Sequence, residues 1–255
     1  MSDTTPAPLP ADFPDPPHVA VRGRHTVAVI DAAKAVDLDR WRTFHSDNPG
    51  WTLLFWERSE DGWEDPEDTR GLEDDEFFGE PFDADDADAD DADADDAGDV
   101  DAADADDAGD VDAAWESFSV DPATLDGDDD AAPDVVDDLD EIWCGLNSGH
   151  MWKQGLAVLV DCPSYDVPAA LPWWGCANAG MPADLSVILR DLHDRWGTEL
   201  LGLSTEEDAA FVLRIPVDTV EDIPADLSRR LAALGDEASV AEDPEWGVLA
   251  RIWFD

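Results

Sequence analysis

Three cysteines and five histidines are the softer metal donors of this 255-residue chain. A zinc site would draw on Cys144, His150, Cys162 and Cys176, spaced Cys-x5-His and then Cys-x13-Cys. That spacing lacks the Cys-x2-Cys knuckle with which one tight turn presents two thiolates to one ion, so buried, inert thiols are expected, and no metal or other cofactor. Cys176 with His150 or His193 can be drawn as a nucleophile and its base, but no nucleophile elbow surrounds the thiol. His193 stands beside Asp194 on the polar side of a helical segment and reads as solvated. A metal-assisted hydrolase using carboxylates with His150 or His193 is the alternative to carry, and it requires at least three ligands to converge.

The acidic repeats raise calcium as a second possibility. The pentapeptide DADDA starts at Asp83, Asp88, Asp93 and Asp104, and its last two copies extend into a tandem, DADDAGDVDAA, over residues 93–103 and 104–114. A calcium loop needs oxygen ligands at positions 1, 3 and 5 before its glycine. Ahead of Gly98 the fifth position is Ala97 and ahead of Gly109 it is Ala108, so both copies fail there. Neither G-x-x-x-x-G-K-[ST] nor G-x-G-x-x-G occurs. What remains is aromatic and cationic: Trp173 and Trp174 in a loop bounded by Pro and Gly, Asn178 just after it, and Arg190 on the helix that follows. Loops held by a rigid scaffold carry much of binding function, so these four residues are the expected contact surface. Trp41, Trp51, Trp196 and Trp253 read as core fillers, and Arg190 reads as paired or snorkelling, with Asp255 across the sheet as one partner.

Charge narrows the function classes further. Sixty-five acids against 14 bases give a formal charge of −51. Residues 83–113 hold 16 of those acids, and removing them still leaves 49 acids against 14 bases. Acidity therefore belongs to the whole chain, which is expected to need concentrated salt, where the screening length falls to about 3 Å near 1 M. The 12 Arg against two Lys agree with a surface dominated by carboxylates. With no basic patch, nucleic acid is not an expected partner. With no apolar run of membrane-spanning length, neither is a membrane. Residues 1–17 are rich in Pro and Asp and show neither arm of a secretion signal, so a cytoplasmic location is expected.

Those residues must be held by elements, and the chain divides into four stretches. Residues 1–17 form a leader and residues 18–82 a β-α-β unit: strand or hairpin to residue 30, a helix over 32–45, the breaker Asn48-Pro49-Gly50, and a strand at 51–57. Residues 83–140 are an acidic, low-complexity linker, since alanine alone cannot offset the entropy of ordering so many repelling carboxylates. Residues 141–255 form the best-patterned domain: a strand at 155–161, an amphipathic helix at 184–196 capped by Gly197, a hairpin over 199–215, a helix at 223–234 and a strand at 247–254. The fold class is α+β, with the C-terminal order β-α-β-β-α-β of ferredoxin-like folds.

Residues 155–255 also resemble a bacterial family, the domain of unknown function numbered 4253. The likeness runs through the apolar strand, the segment Val167-Pro168-Ala169-Ala170-Leu171-Pro172-Trp173-Trp174-Gly175 leading to Asn178, the helix opening at Val187-Ile188-Leu189-Arg190 and ending at Arg195-Trp196-Gly197, and the ending Ile252-Trp253-Phe254-Asp255. Leu192 stands where that family has Trp, and residues 235–244 lack its Phe-Cys-Pro-Asp segment. The resemblance implies a fold and no activity. The expectation is a non-catalytic binding or interaction module whose partner is a protein or a small molecule.

Overall fold

A strand that is apolar at every position needs cover on both of its faces, and that need organises this fold. The computed structural model describes residues 9–10, 18–22, 24–31, 38–56, 110–125, 131–143, 156–171, 173–176, 178–204 and 209–254. Among them, one mixed sheet contains β1 (His18–Arg22), β2 (His25–Asp31), β3 (Thr52–Trp56), β4 (Asp134–Val135), β5 (Leu156–Val160), β6 (Glu199–Leu203), β7 (Ala210–Ile215), β8 (Glu237–Asp243) and β9 (Gly247–Trp253). The order across it is β1-β2-β5-β3-β6-β7-β9-β8-β4. The pairs β3–β6 and β4–β8 are parallel and the others antiparallel. The described helices are α1 (Leu38–Asp47), α2 (Val111–Ser117), α3 (Pro122–Leu125), α4 (Leu139–Ile142), α5 (Val167–Ala170), α6 (Pro182–Trp196) and α7 (Ala225–Leu234). The α+β class holds.

Alternation along the strands sorts side chains into two cores. Leu54, Val158, Val160, Phe211, Leu213, Val248 and Ala250 face one cluster, roofed by α2, α3, α5, α6 and α7. Leu53, Phe55, Ala157, Leu159, Val212 and Leu249 face the other, under α1 and α4. In β6 the pairing to β7 shifts between Leu200 and Gly202, a bulge that puts Leu200 and Leu203 on the same face despite their odd spacing. Helix α6 buries Leu185, Ile188, Leu189 and Leu192, as its spacing predicts, and ends at Gly197 with φ of 70°, the left-handed conformation glycine adopts most readily. Helix α7 buries Leu227, Leu231 and Leu234 but also Arg230, whose guanidinium lies 5.9 Å from the Trp115 ring and 5.8 Å from that of Trp196.

Four expectations change. The C-terminal segment is not the ferredoxin-like arrangement: β5 lies between β2 and β3, two places from the β6–β7 hairpin, because its all-apolar sequence suits the interior of a larger sheet. Strand β8, read as a connection, pairs with β9 along its full length; its acidic ends Glu237, Glu242 and Asp243 masked Ala238, Val240 and Ala241. The proposed linker contains structure: residues 110–125 and 131–140 include α2, α3, β4 and the start of α4. In the leader, Leu9 packs against the second core and Pro10 is buried. Residues 57–109, including the first copy of the tandem repeat, lie outside the described residues.

The second repeat copy shows what orders an acidic segment. Asp110 caps α2, its carboxylate accepting from the N–H groups of Asp112 and Ala113 at 3.1 and 3.3 Å. Just past the repeat, Trp115 is fully buried. A cap contributes about 1 kcal/mol, and the indole supplies apolar area that alanine lacks. Deleting residues 83–109 is therefore expected to leave the melting temperature nearly unchanged, whereas deleting 83–113 removes the cap and first turn and costs about 1–2 kcal/mol. Equal melting curves for the two deletions would contradict this account.

Helix α1 is fastened to β3 by side chains. Strand β6 reaches β3 at Phe55 and Trp56, and among the described residues no strand lies beside the outer edge of Leu53. Trp41 Nε1 donates to the Leu53 carbonyl at 2.9 Å, and the Leu53 N–H donates to His45 Nε2 at 3.2 Å. Burial pushes the His45 pKa from 6.5 down to about 4. Below pH 6.5 the unfolded chain takes up a proton here that the folded chain refuses, so this contribution is complete above pH 6.5 and fades as pH falls toward 4. At about 1.4 kcal/mol per pH unit it amounts to about 2 kcal/mol between pH 6.5 and 5. His45→Gln, whose carbonyl can accept from Leu53 without titrating, is expected to flatten the fall in unfolding free energy between pH 7 and 5 by that amount in urea titrations at fixed salt. Parallel pH profiles would exclude His45 as the cause.

Candidate functional site

Trp173, expected on a contact surface, lies in the core. Trp173 is 1% exposed, its indole donating to the Ser204 carbonyl at 2.8 Å and packing edge-on against Phe211 and Phe254. Its position follows from the chain: Gly175 leaves room for the ring, since a Cβ there would overlap it. Trp173 is thus a core residue, and the reason is the large apolar area that an indole buries once its N–H has a partner. Trp174 begins the short 3-10 turn Trp174–Cys176, while its side chain lies outside the described residues. Asn178 is exposed. Of the four expected residues, Arg190 lines a described cleft.

That cavity is an open cleft of about 510 Å³ lined by Arg24, His25, Asp161, Cys162, Pro163, Tyr165, Asp166 and Arg190. Three distant segments build it. The β1–β2 connection supplies Arg24, and β2 opens with His25. The ladder between β2 and β5 runs on past Val160, with Asp161 N–H donating to the Thr26 carbonyl at 3.2 Å, which sets Asp161 beside His25. Proline and a 3-10 turn, Ser164–Asp166, then stop the strand and carry Tyr165 and Asp166 over to α6, where Arg190 projects.

Two side-chain pairs hold the cleft walls. His25 Nδ1 lies 3.0 Å from Asp161 Oδ1. A carboxylate only accepts, so the bridging hydrogen sits on Nδ1, with Nε2 on the other side of the ring. Arg24 Nε donates weakly to that atom at 3.4 Å. Arg190 Nη2 donates to Asp166 Oδ1 at 2.7 Å, with both side chains about a quarter exposed. The guanidinium also stands over the Tyr165 ring, 5.3 Å from its centroid. The Asp166 hydrogen bond, against the opposing effect of burial, raises the Arg190 pKa further. Arg190 is therefore a fixed cation, and its described ion-pair partner is Asp166; Asp255 lies outside the described residues.

The two described thiols do not offer a nucleophile. Burial, then Asp166 and Asp161, push Cys162 far above the ordinary thiol range, and burial pushes Cys176 up to about 12. Both are free and buried, as expected of inert cysteines. Tyr165 is also shifted upward, by burial and then by Asp166, so its hydroxyl keeps its proton at neutral pH. His193 is not the solvated side chain expected: Nδ1 donates to the Thr198 carbonyl at 2.8 Å and the ring lies 5.2 Å from that of Tyr165. Among the described residues no three His, Cys, Asp or Glu side chains gather closely enough to hold a metal ion. Cys144 and His150 lie outside them.

Sequence reasoning missed Arg24, His25, Asp161, Tyr165 and Asp166. A faint signal exists: residues 16–30 carry no acid, yet hold two of the 12 Arg and two of the five His. Fold and cleft together define a mixed-sheet α+β protein with a charged, solvent-open site at one end of the neighbouring strands β2 and β5. Compared with known proteins, the chain matches no family model, no curated protein and no solved structure.

Proposed function

We propose that this chain is a non-catalytic binding module for a small polar molecule, adapted to concentrated salt and working in the cytoplasm. One observation carries the binding role: side chains from three distant segments converge on one cleft of a size suited to small ligands, and an ion pair and a His–Asp hydrogen bond hold its walls. A concave site of this kind favours a small molecule over a protein partner. The raised thiols supply no nucleophile and no described ligand trio supports the metal-assisted alternative. Support for the salt adaptation is the charge of −51. The likeness of residues 155–255 to the domain family numbered 4253 belongs to the same proposal, and its order of strand, Pro/Trp segment and Gly-capped helix supports it.

A thermal-shift panel of small acids, amines and sugars in molar salt tests the binding role. At least one class is expected to raise the melting temperature, and Pro163→Trp, which places a large ring in the cleft, is expected to abolish the shift while Asn178→Ala leaves it intact. Loss on Asn178→Ala with retention in Pro163→Trp would move the site back to the aromatic loop.

A further inference from the structure

Charge in the cleft is balanced from within. Two arginines, Arg24 and Arg190, stand against two aspartates, Asp161 and Asp166, so neither sign is in excess on its walls. Arg190 Nη2 donates to Asp166 Oδ1 at 2.7 Å, and the His25 Nδ1–H is taken by Asp161 Oδ1 at 3.0 Å. These four side chains are nonetheless between 16% and 25% exposed, so they are fixed in place and still within reach of a molecule in the cleft. Each carboxylate engages through Oδ1 among the described residues, and a carboxylate has about four lone-pair sites to offer. Arg24 is exposed and brings guanidinium donors to the same lining. Tyr165 carries a hydroxyl that keeps its proton, able to donate and to accept.

Such walls discriminate against charge of either sign. An acid sets its carboxylate against Asp161 and Asp166, an amine sets its ammonium against Arg24 and Arg190, and in molar salt the ions themselves compete for every exposed charge. Hydrogen bonds from an uncharged ligand to ionised groups act at contact and belong to the stronger kind. Resting on the reading of the cleft as a small-molecule site, we propose that its ligand is a neutral polyhydroxylated molecule, a sugar or an open-chain polyol, whose neighbouring hydroxyls donate to Asp161 and Asp166 and accept from Arg24. A hydroxyl both donates and accepts, so a run of them complements walls on which carboxylates and a guanidinium stand together. Arg190 is a positioning residue: pinned to Asp166 and lying over the Tyr165 ring, it holds that carboxylate in place.

The test is calorimetric titration of the full chain in about 1 M and about 3 M sodium chloride, with glucose and sorbitol as probes and cyclohexanol, sodium acetate and ethylamine as controls. Saturable binding of glucose or sorbitol is expected, abolished by Pro163→Trp and weakened about tenfold by Asp161→Asn and by Arg24→Gln. Between the two salt concentrations the affinity is expected to change less than about threefold, because the ligand carries no charge to screen. Arg24 is exposed, so its variant reports on binding even if Asp161→Asn unfolds. Glucose alone binding names a ring as the source of the hydroxyls, and sorbitol alone names an open chain. Polyol binding indifferent to both substitutions overturns the inference, as does equal binding of cyclohexanol, which has one hydroxyl and no neighbour to it. Binding of acetate or ethylamine in place of the polyols, blocked by Pro163→Trp, overturns it too but leaves the binding role standing. Silence from glucose and sorbitol also overturns it, and the binding role falls with it only when the broader panel gives no shift.

Discussion

Moved from molar salt into dilute buffer, the protein is expected to unfold, with loss of helical ellipticity and of a cooperative melting transition. The proposal of salt adaptation requires this, and the position of the carboxylates gives it a mechanism. Asp39, Asp47, Asp112, Glu116, Asp121, Asp134, Asp137, Asp138 and Glu141 are all exposed, and they lie on or beside α1 to α4 rather than in one patch. Near 1 M salt each charge is felt over about 3 Å, while at 0.01 M the range grows to about 30 Å, wider than the spacing of the helices on one face. Repulsion then sums over the surface, and a domain stabilised by about 5–15 kcal/mol has little to set against it. Sodium chloride and potassium chloride should protect alike if screening is the cause. A protein that melts at the same temperature in dilute buffer as in molar salt would end the proposal.

Trp173→Ala is expected to lower the unfolding free energy by about 3–5 kcal/mol, the range for deleting a buried aromatic ring. The ring is 1% exposed and wedged between Phe211, Phe254 and the bare backbone of Gly175, and its removal leaves the Ser204 carbonyl short of the indole donor. Trp173→Phe separates the two terms: it keeps most of the apolar fill and loses the hydrogen bond, at an expected cost of about 1–2 kcal/mol. Asn178→Ala, on the exposed side of the same loop, should stay within about 0.5 kcal/mol of the parent. Urea titrations in molar salt measure all three. Unchanged stability in Trp173→Ala, together with loss of ligand binding, would return this residue to the contact surface.

The two outcomes for the aromatic loop and the acidic repeat have a common root. Local sequence shows that a Trp between Pro and Gly is special, but an indole serves a core and a binding face equally well, and only its neighbours decide. Phe211 in β7 and Phe254 just past β9 lie far along the chain, so nothing near residue 173 announces them. In the same way DVDAA occurs at residues 99–103 and 110–114, and it is Trp115, one residue past the second copy, that anchors a helix to the core.

Periodicity and capping were enough to determine the α+β class, the buried faces of α6 and α7, the cap at Gly197 and the opening β-α-β order, because each depends on residues within one or two turns of one another. The place of β5 between β2 and β3 and the cleft at its end were decided by tertiary structure alone. His25 meets Asp161 across 136 positions, and Arg190 meets Asp166 across a turn whose direction the sheet imposes. A polar pair joined through strand pairing leaves no spacing to read, since its distance is set by the ladder and not by the chain.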